Sequence, residues 1–170
     1  FSRVSSQAFG PGALTSDSNQ GLYWLAPSLT VGMSYSEVAG LLANDPSFSG
    51  YRYASVGELE SLFSGFDIPN LNDLGVVING TVGNVPGATA LQSFLGVTYS
   101  VLVGGVSIAE TAGFVGEPFV SPINGFVSVY LGDVAIRSNV QTDSGPMSFA
   151  YVASVLSSAT VGSQYEGVGS

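Results

Sequence analysis

Gly50-Tyr51-Arg52-Tyr53-Ala54-Ser55-Val56-Gly57-Glu58-Leu59-Glu60-Ser61-Leu62-Phe63 is the stretch from which the fold of this chain is read. Ser55 is followed three residues on by Glu58. That is the pattern of a capping box, in which the serine oxygen accepts the glutamate amide and the glutamate side chain reaches back to the serine amide. A helix is predicted over residues 56–64, with Val56, Leu59, Leu62, Phe63 and Phe66 as its apolar stripe. Gly65 is the expected left-handed terminator. Gly57 inside the helix costs about 1 kcal/mol relative to alanine, which hints at close helix packing.

The same device stands upstream. Ser34-Tyr35-Ser36-Glu37 predicts a helix over residues 35–43, with Tyr35, Val38, Ala39 and Leu42 at helical spacing and Asn44-Asp45-Pro46 as its stop. Before it, Gly21-Leu22-Tyr23-Trp24-Leu25 is a short apolar strand that holds the single tryptophan. A third box, Thr89-Ala90-Leu91-Gln92, starts a short helix that Gly96 ends.

From Val97 the period switches to two. Residues 98–103 and 106–111 flank Gly104-Gly105, a hairpin signal. Residues 126–131 and 134–139 flank Gly132-Asp133 and read as a second hairpin, with Arg137 opposite Ser128. Residues 113–125, with Pro118 and Pro122, link the two. A last strand covers residues 148–156 and is expected near the first strand, residues 21–25. Residues 67–87 form a loop with a small hairpin at Asn79-Gly80.

The class expected is therefore α+β: two or three short helices on a mainly antiparallel twisted sheet with hairpins. Residues 15–156 make one domain. Residues 1–14 read as an N-terminal arm and residues 157–170 as a C-terminal arm, because both ends are small, polar and rich in glycine.

Composition narrows function. The 170 residues hold 3 Lys+Arg, all arginine, against 12 Asp+Glu, with no histidine and no cysteine, for a net charge of −9. Such a chain has little with which to neutralise phosphates, so nucleic acid is not an expected partner. Without histidine, cysteine or lysine there is no Ser-His or Cys-His pair, no Schiff-base lysine and no zinc site of the usual kind. An enzyme is not expected. Only 9% of residues are charged and mean hydropathy is +0.40. An ordinary soluble surface carries more charge than this, which suits a secreted protein that packs against copies of itself or against a matrix. No run approaches the ~20 apolar residues of a membrane-spanning helix. No basic-then-apolar leader opens the sequence, so it reads as a mature, processed product.

One segment resembles a known family. Thr15-x-Asp17-x-x-x-Gly21-Leu22-x-Trp24-Leu25, Ser34-Tyr35-x-x-Val38 and Gly50-Tyr51-Arg52-Tyr53-Ala54-Ser55-x-x-Glu58-Leu59-x-x-Leu62-Phe63 are similar to the opening of secreted bacterial PEP-CTERM proteins, whose C-terminal sorting tail is removed at the cell surface. The same stretch is more distantly similar to Lcl-type domains of C-type-lectin-like fold. Ala54 stands where the distant family has proline, and Ser154 where its last strand often ends in arginine. No sorting tail follows Ser170, which fits a cleaved mature form. The resemblance implies a lectin-like fold and export to the bacterial cell surface or matrix. It implies no activity.

Three groups of residues are candidate sites. Arg52 and Glu58 form either a structural pair locking the start of the helix or a binding pair. Asp67, Asn70, Asn72 and Asp73 lie in an oxygen-rich loop that calcium would suit, although its spacing is not that of an EF-hand and turns use the same residues. No other cofactor is suggested. Tyr23, Trp24, Tyr51 and Tyr53 either stack a sugar, with extracellular polysaccharide as a partner, or serve as core. Asn79-Gly80-Thr81 fits both a glycosylation acceptor and a turn. The favoured expectation is a structural protein that polymerises through its terminal arms, with a carbohydrate- or calcium-binding module as the alternative.

Overall fold

The computed structural model describes residues 1–68, 84–120, 127–139 and 147–156. Two antiparallel sheets and three α-helices make up the described residues, an α+β fold. The first sheet has the order β1 (Ser2–Ser6), β2 (Gly10–Asp17), β3 (Leu22–Leu25). The second has the order β4 (Tyr99–Val103), β5 (Val106–Val120), β6 (Val127–Asn139), β7 (Met147–Leu156).

Both Ser-x-x-Glu boxes form. Helix α1 (Tyr35–Asn44) starts with the Glu37 amide donating to Ser34 Oγ at 3.3 Å and the Ser34 amide donating to Glu37 Oε2 at 2.7 Å. Helix α2 (Val56–Gly65) repeats this with Ser55 and Glu58 at 3.2 and 2.8 Å. It buries Leu59, Leu62 and Phe63, with Phe66 buried just beyond. Gly65 is not the left-handed residue: Asp67 takes that conformation, at φ 54°. Gly65 answers a packing need instead, since a Cβ there would lie 2.7 Å from the Phe1 ring. Gly57 has no neighbour within 4 Å of an added Cβ, so it does not mark a close helix contact.

Helix α3 (Val85–Leu95) begins four residues before the Thr89 box. Asn84 Oδ1 accepts the Gly87 amide at 3.0 Å, and Pro86 occupies the first turn, where a missing N–H is harmless. Thr89 Oγ donates back to the Val85 carbonyl at 2.8 Å, while buried Gln92 donates from Nε2 to the Ala109 carbonyl of β5 at 2.9 Å. On its other side, Thr15 Oγ of β2 donates to the Phe94 carbonyl at 3.0 Å. One helix therefore bonds to both sheets. Leu91 and Leu95 join Leu59, Leu62, Phe63, Phe66 and Val115 in the core.

Residues 1–14 are not an arm. Ser2, Arg3 and Val4 pair with Ser16, Thr15 and Leu14, and the Phe1 ring stacks on Phe66 with centroids 4.3 Å apart. Residues 157–170 lie outside the described residues. The hairpin at Gly104-Gly105 is present: both glycines have positive φ and Val103 faces Val106. The second expected hairpin is not. Gly132 and Asp133 lie mid-strand in β6, opposite Gly113 and Ala112 on one side and Val152 and Tyr151 on the other. Arg137 pairs with Ile108 and Met147 rather than with Ser128. The link expected over residues 113–125 is strand as far as Val120, with its register shifted between Val115 and Phe119 around Pro118. The first and last predicted strands, β3 and β7, belong to different sheets.

Candidate functional site

A cleft of about 700 Å³ opens where β3, the segment after α1, α2 and β5 meet. Its described lining is mostly apolar and aromatic: Leu22 and Trp24 from β3, Phe48, Tyr51 and Tyr53 from the segment before α2, and Phe114 from β5. Leu59, Leu62 and Phe63 extend it toward the core.

The turn that delivers β3 to this cleft is built on a buried acid. Asp17, 2% exposed, accepts the Asn19 and Gln20 amides on Oδ1 at 3.0 and 3.2 Å and Gln20 Nε2 on Oδ2 at 2.8 Å. Gln20 Nε2 also donates to the Glu58 carbonyl at 3.2 Å, tying the turn to the first turn of α2. Gly21 completes it at φ 68°. The sequence reading assigned Asp17 no role. The signal was available, because an aspartate two and three residues before the amides it binds is an Asx-type turn.

Beside this turn the rim is fixed by Arg52 and Glu58. Arg52 Nη1 and Nη2 meet the two Glu58 carboxylate oxygens at 2.9 and 2.6 Å, and Nη1 also donates to the Tyr53 carbonyl at 2.9 Å. The Arg52 hydrogen bonds, followed by the Ser55 amide, hold the Glu58 carboxyl down to about 2, and Glu58 in turn raises Arg52. Glu58 stays ionised at neutral pH and cannot lend a proton there.

The four aromatics expected to stack a sugar all line the cleft, but in different conditions. Tyr53 lies flat against Tyr35, centroids 4.2 Å apart, and its hydroxyl donates to the Tyr35 carbonyl at 2.6 Å. Burial, then Tyr35, raises that hydroxyl's pKa. Tyr51 meets Phe9 edge-on at 5.9 Å. Trp24 packs against the core, and its indole N–H is buried with no acceptor among the described residues. Tyr23 is 60% exposed. Just beyond the lining, Gly116 ties β5 to the segment before α2 and to α1: its amide donates to the Ala54 carbonyl at 2.6 Å and its carbonyl accepts from the Tyr35 hydroxyl at 3.3 Å.

Of the calcium candidates, Asp67 is exposed and left-handed at the end of α2. Asn70, Asn72 and Asp73 lie outside the described residues, as do the Asn79-Gly80 turn and its glycosylation pattern. Among the described residues no cluster of three or more metal-ligating side chains occurs, and no helix is long and apolar enough to cross a membrane. No protein-family model matches the chain, and no curated protein and no solved structure matches it.

Proposed function

We propose that this is an exported, non-enzymatic binding protein of the bacterial surface or matrix, of lectin-like kind, that takes a small ligand into the cleft beside Trp24. The observation carrying the reading is the cleft itself, about 700 Å³ with aromatic walls. Ligand sites are typically concave, mostly apolar and within ~300–1,000 Å³. Export rests on the resemblance of residues 15–66 to the PEP-CTERM proteins. The single tryptophan lines the cleft, so its fluorescence is a direct reporter. Titrating the full chain with the apolar probe N-phenyl-1-naphthylamine should quench Trp24 saturably. Tyr23→Ala, at an exposed position that leaves the core intact, should weaken binding about threefold or more. Absence of saturable quenching would remove the reading.

A second reading, self-association as a structural subunit, is favoured by one observation. One of the two outer strands of the second sheet, β4, carries no charge and leaves Leu102 67% and Val103 60% exposed. Of the two terminal arms first given this role, residues 2–6 are engaged in their own sheet and residues 157–170 lie outside the described residues, so strand addition at this edge is the route the described residues support.

A further inference from the structure

We propose that the ligand of the cleft is a short, extended, uncharged peptide segment that adds to the first sheet as a strand beside β3. This rests on the reading of the cleft as a binding site.

β3 is an outer strand of its sheet, with β2 on one side. In an antiparallel ladder, residues that bond to the neighbour alternate with residues whose N–H and C=O point away from it. The Ala26 amide donates to the Ala13 carbonyl at 2.9 Å, so in register Trp24 and Leu22 also bond to β2. The N–H and C=O of Tyr23 and Leu25 therefore point outward, and among the described residues no main-chain group pairs with them. The strand carries no charge to guard this edge, and none of its four residues is fully buried.

The cleft runs along the same edge. Successive side chains of a strand point to opposite faces, yet every residue from Gly21 to Pro27 touches the cleft. A space over one face would meet alternate residues, whereas a space along the open edge meets them all. Trp24 turns to the core, so on that face an added strand meets Leu59, Leu62 and Phe63. Tyr23, on the other face, is 60% exposed. The main chain of the peptide supplies the hydrogen bonds, and its alternate side chains are apolar inward and polar outward. Among the described lining residues the ionic ones, Arg52 and Glu58, are committed to each other at 2.9 and 2.6 Å. A charged side chain would give up water without a free counter-charge, which disfavours it.

The test uses the full chain and the peptide acetyl-Ser-Val-Ser-Leu-Ser-Val-Ser-amide, whose apolar side chains share one face of a strand. It should bind one-to-one by calorimetry and displace N-phenyl-1-naphthylamine. Amide exchange with water, read by NMR, should slow about tenfold or more at Tyr23 and Leu25, and less at Trp24, whose amide already bonds to β2. Aspartate in place of the peptide's leucine should weaken binding about tenfold or more. Tyr23→Pro removes one outward donor and leaves the β2 ladder in place, a change that edge strands accept. It should bind the peptide about fivefold or more weakly than Tyr23→Ala, which keeps the amide. Unchanged exchange at Tyr23 and Leu25, equal affinity for the aspartate peptide, or equal affinity in the two Tyr23 variants overturns the proposal while leaving the cleft a binding site. So does saturable binding of the naphthylamine without binding of the peptide. If neither binds, the cleft reading itself fails. Self-association that Tyr23→Pro abolishes, with no peptide binding, assigns the edge to a second copy and overturns the proposal as well. Should Tyr23→Pro not fold by circular dichroism, the exchange pattern and the aspartate peptide on the parent chain decide the matter.

Discussion

Glu58 joins three functions in one carboxylate: it closes the capping box, pairs with Arg52 and borders the cleft. Its folded pKa is about 2, below an unfolded value of roughly 4.3. A depressed carboxylate contributes stability that is complete above the unfolded value and is lost as pH falls through the folded one. Glu58→Gln keeps a side chain able to reach back to the Ser55 amide but removes the charge. Because Arg52 is largely exposed, water screens the pair, and the expected cost at pH 7 is about 0.5–1 kcal/mol. The gap between parent and variant in urea melts should hold down to about pH 5, narrow below it, and close near pH 2. A gap that is the same at pH 7 and pH 2 would mean the charge contributes nothing. The pairing of these two residues was legible in the sequence from Glu58's place in the box and Arg52's place just ahead of it. The buried role of Asp17 was not, because a turn-forming aspartate looks the same in sequence whether its turn is solvated or pressed against a helix.

At the scale of elements, the helices were readable where capping chemistry is local. Ser34 and Ser55 fix two helix starts through atoms three residues away. Helix α3 was expected and ends before Gly96 as read, but its start was placed four residues late, because Asn84 and Pro86 announce it more strongly than Thr89 does, while Gln92, taken as a cap, spends its side chain on β5. Strand β6 was misread for a related reason. Gly132-Asp133 is a turn dipeptide in isolation, but Gly132 sits cross-strand from Gly113 in the middle of a sheet. Glycines show the same division between local and tertiary cause. Gly57 is an open position in α2, whereas an added Cβ at Gly87 would overlap the Phe66 carbonyl oxygen where α3 crosses the end of α2. Gly57→Ala should therefore stabilise the protein by about 1 kcal/mol. Gly87→Ala should destabilise it by about 2 kcal/mol or more through overpacking. Thermal melts of the two variants check both signs, and equal shifts in one direction would refute the α2–α3 junction as drawn.

Across the whole molecule, α3 holds two sheets, each with two outer strands, and of these β1 and β4 differ in character. β1 carries Arg3, while β4 is uncharged and ends in exposed Leu102 and Val103, with exposed Val97 just before it. Natural edge strands are commonly guarded by lysine, and this chain has none. The overall expectation of self-association came from composition, which cannot say which edge is free. That depends on pairing between distant strands, and it is why residues 1–14 looked unattached. If copies join through β4, the contact is apolar and made by backbone hydrogen bonds, while each copy carries a net charge of −9. Like charges then oppose assembly. Raising salt shortens the screening length from ~10 Å at 0.1 M to ~3 Å at 1 M and should strengthen it. A contact made by ion pairs would respond in the opposite direction. Sedimentation velocity of the full chain should show association that grows with both protein and salt concentration. Leu102→Lys should abolish it without changing probe binding, because Leu102 is not among the residues lining the cleft. A parent chain that stays monomeric at high concentration in 1 M salt, or a Leu102→Lys variant that associates as the parent does, would show that this edge joins nothing.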